Sequence, residues 1–197
     1  VTTGEGGAVL ANRRDLFERI LMFRSHGIMR PSEASARKGR GLWHYDMQVL
    51  GYNYRLSDIH AALGVSQMKK LDRFLERRRA IAAQYEKAFR DNPYFDMPSE
   101  GKRVRSAWHL YPIRLKGGCG LRRKEIFTAM RDQGLGVQVH YIPVYRHPYY
   151  SRLGYPGGLC PVAEDYFKRE ISLPLFPSMR GQDVRSVIAR VLKICKR

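Results

Sequence analysis

The chain of 197 residues is long enough for one domain, or for one domain and part of a second. Hydrophobic residues make up 44% of it and charged residues 27%, a balance that excludes disorder as its main state. Lys and Arg total 36 against 18 Asp and Glu, and the net charge of +18 favours anionic partners: nucleic acid, an acidic surface or a phosphorylated metabolite.

Several classes of protein are disfavoured by what the sequence lacks. The positive residues are spread along the chain without an RNP, zinc-finger or basic-zipper pattern, so nucleic acid is not the partner we expect. No apolar run approaches the roughly 18 to 20 residues of a membrane-spanning helix. Cys119, Cys160 and Cys195 fit neither a disulfide framework nor a zinc site, so we expect no metal and a reducing, cytoplasmic location. The chain begins with Val1 and shows no signal-peptide pattern, so we expect its first residue to lie within a domain.

The first elements of the chain are indicated by glycines and apolar spacing. The glycine-rich stretch at residues 2–7 is typical either of a phosphate or cofactor loop or of a tight strand entry, and residues 6–11 predict a strand. Apolar residues at helical spacing predict a helix over residues 15–23, which Gly27 ends. Periodicity is absent from residues 28–46, which predicts a long, mobile loop.

The clearest helical pattern begins after Ser57, a residue typical of a helix N-cap, and continues to Phe89. A single helix of roughly 30 residues would extend about 45 Å at ~1.5 Å per residue, longer than a small domain is wide. We therefore expect the helix to bridge two domains, unless it breaks near residues 77–79. From Trp108 onward the pattern alternates strands, at 108–115, 137–141 and 170–174, with helices, at 124–131, 162–168 and around 184–192.

Two segments carry polar side chains in arrangements that suit a ligand. Asn53 and Arg55 lie just ahead of the Ser57 helix, where an anion is favoured, and could reach a phosphate. Equally, Asn53 could shape the turn while Arg55 pairs with Asp58.

The second segment is the predicted strand over residues 137–141. Val137, Val139 and Tyr141 share one face of it, which leaves Gln138 and His140 on the other, where they meet either water or a ligand. For His26 and His109 we expect local structural roles, because neither has a visible nucleophile or metal partner.

Seven motifs in order resemble one family of enzymes. They read TTGEGGAV, FRSHGI, LGYNYRLSDIHAALGVSQMKKLD, WHLYPIRL, GVQVHYIPV, PYY and EISLPLFP. Together they resemble the DegT/DnrJ/EryC1/StrS family of sugar aminotransferases, which depend on pyridoxal 5'-phosphate (PLP). The resemblance implies an α/β, type I (aspartate aminotransferase-like) PLP-transferase fold. Residues 1–60 would be the C-terminal remnant of the large PLP-binding domain, and residues 61–197 the long connecting helix and the small C-terminal α/β domain.

The resemblance also implies an activity. It suggests a homodimer with sites at the subunit interface that transfers an amino group from L-glutamate to the C4 keto group of a UDP-4-keto-6-deoxy-N-acetylamino sugar, in pseudaminic acid-type surface glycan biosynthesis. In this family the lysine that forms the Schiff base lies just before the TTGEGG motif, hence upstream of Val1. We therefore expect a fragment that is inactive alone, and assign no catalytic residue within it.

Site residues follow from the same resemblance. Asn53 corresponds to an asparagine that reaches across the dimer to the cofactor phosphate or to the cofactor–sugar adduct. Gln138, Val139, His140 and Tyr141 correspond to a segment that contacts the substrate. A hypothesis of another class is a non-catalytic basic binding or regulatory module, motivated by the net charge and by the missing lysine.

Overall fold

The computed structural model describes residues 1–29, 43–117 and 122–196, which form two compact units, Val1–Leu71 and Asp72–Arg197. The predicted loop at residues 28–46 falls largely outside this described part. Within the three described ranges, no helix is long and apolar enough to cross a membrane.

The described part of unit 1, residues 1–29 and 43–71, contains two helices and a pair of two-residue strands. These are α1 (Arg14–Arg24), β1 (Ile28–Met29), β2 (Asp46–Met47) and α2 (Asp58–Met68), with β1 and β2 antiparallel. The predicted N-cap is confirmed, because the Ser57 hydroxyl accepts a hydrogen bond from the backbone N–H of His60 at 3.4 Å. The strand predicted over residues 6–11 is wrong. Leu10 is 95% exposed, and among the described residues no strand pairs with this segment.

Unit 1 is poor in buried apolar surface. None of its described hydrophobic side chains is fully buried, and large ones such as Phe17, Tyr54 and Ile59 are exposed. Burial of apolar area is the main stabilising contribution to folding, so this unit has little of that stabilisation from its own residues.

The single long helix predicted after Ser57 is wrong. The helix ends at Met68, and after a turn at Lys69 and Lys70 a second helix, α3 (Leu71–Phe89), begins. The sequence predicted that any break would lie near residues 77–79. The observed break at Lys69 and Lys70 lies earlier in the chain. The unit boundary at Leu71 falls at the same turn.

Unit 2 is an antiparallel sheet covered by helices. The sheet has the order β3 (Phe95–Asp96), β4 (Tyr111–Leu115), β5 (Glu170–Leu173), and α3 is joined by α4 (Arg123–Asp132), α5 (Pro148–Arg152), α6 (Pro161–Arg169) and α7 (Gly181–Lys196). Alternation along β4 buries Tyr111, Ile113 and Leu115. Side chains of α3 and α7 complete a continuous apolar core. The predicted α/β class is confirmed, as are the helices at 124–131 and 162–168 and the strand beginning at Glu170.

The strand predicted over residues 137–141 is wrong in extent. It is reduced to one bridge, in which Gln138 N–H donates to Ser172 O at 3.3 Å and Ser172 N–H donates to Gln138 O at 2.8 Å. The next N–H that could extend the ladder, that of His140, donates instead to the carboxylate of Glu170 at 2.8 Å. A side chain therefore takes the place of a backbone acceptor, and pairing stops.

Candidate functional site

The segment that carries Asn53 is fixed against the end of α1 by backbone hydrogen bonds. His26 N–H donates to Tyr52 O at 2.8 Å, Tyr54 N–H donates to Arg24 O at 2.9 Å, and Ser25 and Asn53 form a bridge. His26 itself has a φ of 62°, so its place in this turn fits the structural role that we expect for it.

Two glycines allow this close approach. Gly27 has a φ of 68°, and a Cβ on it would lie 1.7 Å from Val49 O. A Cβ on Gly51 would lie 2.0 Å from the backbone nitrogen of Gly27. Any other residue at either position would push the two segments apart, so both glycines are required for the placement of Asn53.

Asn53 and Arg55 present hydrogen-bond donors at an exposed position. Arg55 Nε donates to Asn53 Oδ1 at 3.5 Å, and no ion pair with Asp58 occurs among the contacts of the described chain. The carbonyl of the Asn53 side chain is thus directed to Arg55, while its NH₂ group and the remaining guanidinium N–H groups are donors for an anion. The sequence allowed either a phosphate contact by Asn53 and Arg55 or an ion pair between Arg55 and Asp58. The ion pair is not observed among the described residues.

A cavity of about 950 Å³ in unit 1 adjoins this segment. Its lining includes Tyr52, Tyr54 and Arg55, whereas Asn53 is outside the lining. The two tyrosine rings are stacked, with centroids 4.9 Å apart and planes inclined by 9°. The cavity therefore combines aromatic surface with the guanidinium groups of Arg24 and Arg55 and the carboxylate of Glu5.

In unit 2, Gln138 and His140 line a cavity of about 580 Å³ together with Ser172, Asp183 and Arg190. Two of the four residues in the predicted substrate-contact segment 138–141 therefore share a cavity, and Asn53, also predicted to bind substrate, lies in unit 1. Val139 and Tyr141 do not belong to its lining, and Tyr141 is 69% exposed. Gln138 Oε1 accepts from the N–H of Val139 at 3.0 Å, which directs the amide NH₂ group away from its own backbone as a donor.

A buried chain of polar groups lies behind His140. Its Nδ1 is 2.9 Å from the hydroxyl of Ser172, and that hydroxyl also makes a short hydrogen bond with Glu170 Oε1. Glu170 is 0% exposed. Burial is the largest effect and leaves the pKa of this carboxyl raised, although the hydrogen bonds from Ser172 and from the His140 backbone, and the positive charge of Arg123, act in the opposite direction.

Arg78 on α3 contacts two segments that line the same cavity. Its Nη1 donates to the carbonyl oxygens of Trp108 at 3.0 Å, His109 at 3.2 Å and Leu175 at 2.8 Å. His109 and Leu175 both line the cavity, so one guanidinium joins two of its walls to the core helix. The contact with His109 is made by its backbone carbonyl, so a structural role of its side chain stays a prediction.

Glu170, Ser172 and Arg78 are functional candidates that were not predicted from the sequence. A signal for the first was present, because a carboxylate stands at the start of the apolar strand EISL, where burial without partners is costly. Arg78 is the middle one of three consecutive arginines, and the amino-acid sequence alone does not show which of them contacts distant carbonyl groups. In the described part of the chain, no cluster of three or more metal-ligating side chains is found.

Comparison with known proteins gives one family. A model described as the DegT/DnrJ/EryC1/StrS aminotransferase family matches residues 1–192. A protein of Campylobacter jejuni named UDP-4-amino-4,6-dideoxy-N-acetyl-beta-L-altrosamine transaminase is 41% identical over 187 residues, which are 95% of this chain and 47% of that protein. The chain spans about half the length of the curated relatives it matches.

Solved structures agree with the sequence comparison. Helicobacter pylori PseC, described as an aminotransferase involved in the biosynthesis of pseudoaminic acid, is 34% identical with a TM-score of 0.89, over 100% of this chain and 50% of that one. A putative sugar aminotransferase from Streptococcus pneumoniae, Spr1654 in its PMP form, is 25% identical with a TM-score of 0.85, over 96% and 47% of the two chains.

Proposed function

The chain belongs to the DegT/DnrJ/EryC1/StrS aminotransferase family, and from this we propose that it supplies the nucleotide-sugar contacts, and one contact to the cofactor, of a PLP-dependent sugar aminotransferase. The PLP-transferase fold predicted from the motifs is confirmed by the likeness to PseC. The observation that carries the proposal is the pairing of Gln138 and His140 on one cavity, within the GVQVHYIPV motif. An amide donor and an imidazole side by side suit the hydroxyl and carbonyl groups of a sugar or a uracil ring.

The substrate that we propose is a UDP-4-keto-6-deoxy-N-acetylamino sugar, with L-glutamate as amino donor, in a pathway of the pseudaminic acid type. The name of the Campylobacter relative and the description of PseC support this choice. The net charge of +18 would attract the diphosphate group over a distance of several ångströms, more strongly at low salt.

The donors on unit 1 fit the phosphate group of PLP. Asn53 offers amide N–H groups and Arg55 a guanidinium, both exposed and adjacent, and phosphate accepts from donors of this kind. We propose that Asn53 holds the cofactor phosphate or the sugar attached to it, with Arg55 beside it. The chemistry that PLP supplies when bound is an electron sink, through which an amino group moves from glutamate to a keto carbon.

Each remaining predicted residue has a proposed part in binding. The Gln138 amide donates to the sugar or nucleotide and His140 accepts from it. The backbone of Val139 and the exposed ring of Tyr141, which lie outside the cavity lining, contact the part of the ligand that extends beyond the cavity. We assign the Schiff-base role to no lysine in residues 1–197, because none directly precedes the TTGEGG motif. We further propose a homodimer, with residues 1–60 belonging to the large domain and residues 61–197 to the connecting helix and small domain.

Titration of the chain with UDP-N-acetylglucosamine, followed by ¹⁵N NMR, tests the sugar contact. We expect shifts confined to amides around the unit 2 cavity, and UDP alone to shift fewer of them. Gln138→Ala should weaken binding about fivefold to 10-fold, as expected for one hydrogen bond of about 1 kcal/mol or slightly more. Gln84→Ala, at an exposed glutamine of α3, is the matched control. Shifts spread over the whole surface, or equal affinities of the two variants, would contradict the proposal.

A further inference from the structure

The hydroxyl of Ser172 lies between a carboxylate and an imidazole. It contacts Glu170 Oε1 on one side and His140 Nδ1, at 2.9 Å, on the other. A serine hydroxyl carries a single hydrogen, so it donates to one of these neighbours and accepts from the other. Only two arrangements of protons satisfy both short contacts.

In the first arrangement Glu170 is ionised. The Ser172 hydroxyl then donates to the carboxylate, and His140 must carry a proton on Nδ1 to donate to the hydroxyl oxygen. In the second, Glu170 is protonated and donates to Ser172, the hydroxyl donates to Nδ1, and the imidazole proton lies on Nε2. The state of Glu170 and the tautomer of a neutral His140 are therefore linked through one hydroxyl group.

Burial raises the pKa of the Glu170 carboxyl, and the contacts around it offset part of this effect in favour of the ionised form. Its Oε2 accepts a hydrogen bond of 2.8 Å from the backbone N–H of His140, a donor whose direction does not depend on the state of Ser172. The guanidinium of Arg123 adds positive charge, and it is itself fixed by a hydrogen bond to Phe167 O at 2.8 Å and by its position over the Phe167 ring. Buried carboxylates stay charged where hydrogen bonds and a cation compensate for lost hydration.

We propose that Glu170 is a positioning residue: through Ser172 it holds His140 in the tautomer protonated on Nδ1, which leaves Nε2 as a hydrogen-bond acceptor for a ligand hydroxyl in the unit 2 cavity. The use of this acceptor by a nucleotide sugar rests on the proposed function, whereas the tautomer does not. A neutral histidine side chain in water prefers the proton on Nε2, so the Nδ1–H tautomer requires a partner such as Ser172. With that partner, Nε2 selects a ligand that presents a donor at this point.

The tautomer is read directly by long-range ¹H–¹⁵N NMR on the chain labelled at histidine, at about pH 8, where imidazoles are ordinarily neutral. We expect His140 to show the Nδ1–H pattern. Glu170→Gln should reverse it, because the new amide NH₂ donates to Ser172, which then donates to Nδ1. Glu164→Gln, at a carboxylate of the same unit that bonds to Tyr145, should leave it unchanged, and His109 serves as an internal reference.

A second pair of variants keeps the test decisive if Glu170→Gln does not fold. Ser172→Ala removes the linking hydroxyl and should reduce the Nδ1–H form to a minority, while Ser172→Thr retains a hydroxyl and should restore it. An Nε2–H pattern in the unsubstituted chain would overturn the proposal. So would an unchanged Nδ1–H pattern in a folded Glu170→Gln or Ser172→Ala variant.

Discussion

Replacement of Arg78 by Met removes the group that ties two walls of the unit 2 cavity to α3. The two hydrogens on Nη1 are shared among three carbonyl oxygens at 2.8 to 3.2 Å. A hydrogen bond to a charged group contributes about 1.5–3 kcal/mol, and Arg78 is only half-buried, so we take the lower part of that range for each hydrogen. The expected loss in the free energy of unfolding of unit 2 is about 3 kcal/mol, or roughly 10 °C in Tm.

Urea denaturation followed by tryptophan fluorescence measures this loss. Trp108 reports on unit 2, because its ring lies 5.6 Å from that of Tyr111 in the core. Trp43 is 83% exposed and is replaced by Phe in all samples to remove its emission. Arg73→Met, on the same helix but over the ring of Phe74, is the control and should cost less than about 0.5 kcal/mol. Equal losses in the two variants would refute the view that Arg78 holds the cavity walls.

Three further predictions concern the pH dependence, the unequal stability and the partners of the chain. The hydrogen bond from Tyr145 to Glu164 lowers the pKa of that carboxyl, so Glu164 stabilises unit 2 above the ordinary carboxyl pKa and loses this effect as the pH falls through the lowered value. Tyr145→Phe should therefore raise the Glu164 pKa in a ¹³C NMR titration, and an unchanged value would contradict the assignment. Hydrogen exchange should be slow for α3 and β4 and fast for α1 and α2, because described apolar side chains are buried in unit 2 and not in unit 1; equal protection would argue against this. RNA should show no binding at physiological salt, whereas affinity with a steep salt slope would favour a basic binding module instead.

Local signals in the sequence were sufficient for most helices. Ser57 marks the start of α2 and Gly27 the turn after α1, because caps depend on one side chain or one backbone conformation. The break at Lys69 and Lys70 contains no glycine or proline. The helix predicted from apolar spacing alone therefore continued through these two residues. The strands were harder. Residues 6–11 have a suitable pattern but no described partner strand, and a strand without a partner does not form.

Two residues of the unit 2 cavity could be picked out from the sequence, but the contacts that hold them could not. Gln138 and His140 were recognised from their shared face and from the family motif, and the structure places both on one cavity. The bond from His140 to Glu170 spans 30 positions, and periodicity within one strand contains no information on such a contact. Arg78 reaches carbonyls 30, 31 and 97 positions away for the same reason.

The most direct measurement is amination by a chimera in which residues 1–192 replace the matching half of the Campylobacter relative. With L-glutamate, PLP and a UDP-4-keto-6-deoxy-N-acetylamino sugar, we predict formation of the 4-amino sugar, reduced at least 10-fold by Asn53→Ala. Gln84→Ala should retain full activity. A folded, dimeric chimera that binds PLP but yields no amino sugar, or one whose activity Asn53→Ala does not change, would contradict the assignment of this chain to the site of a sugar aminotransferase.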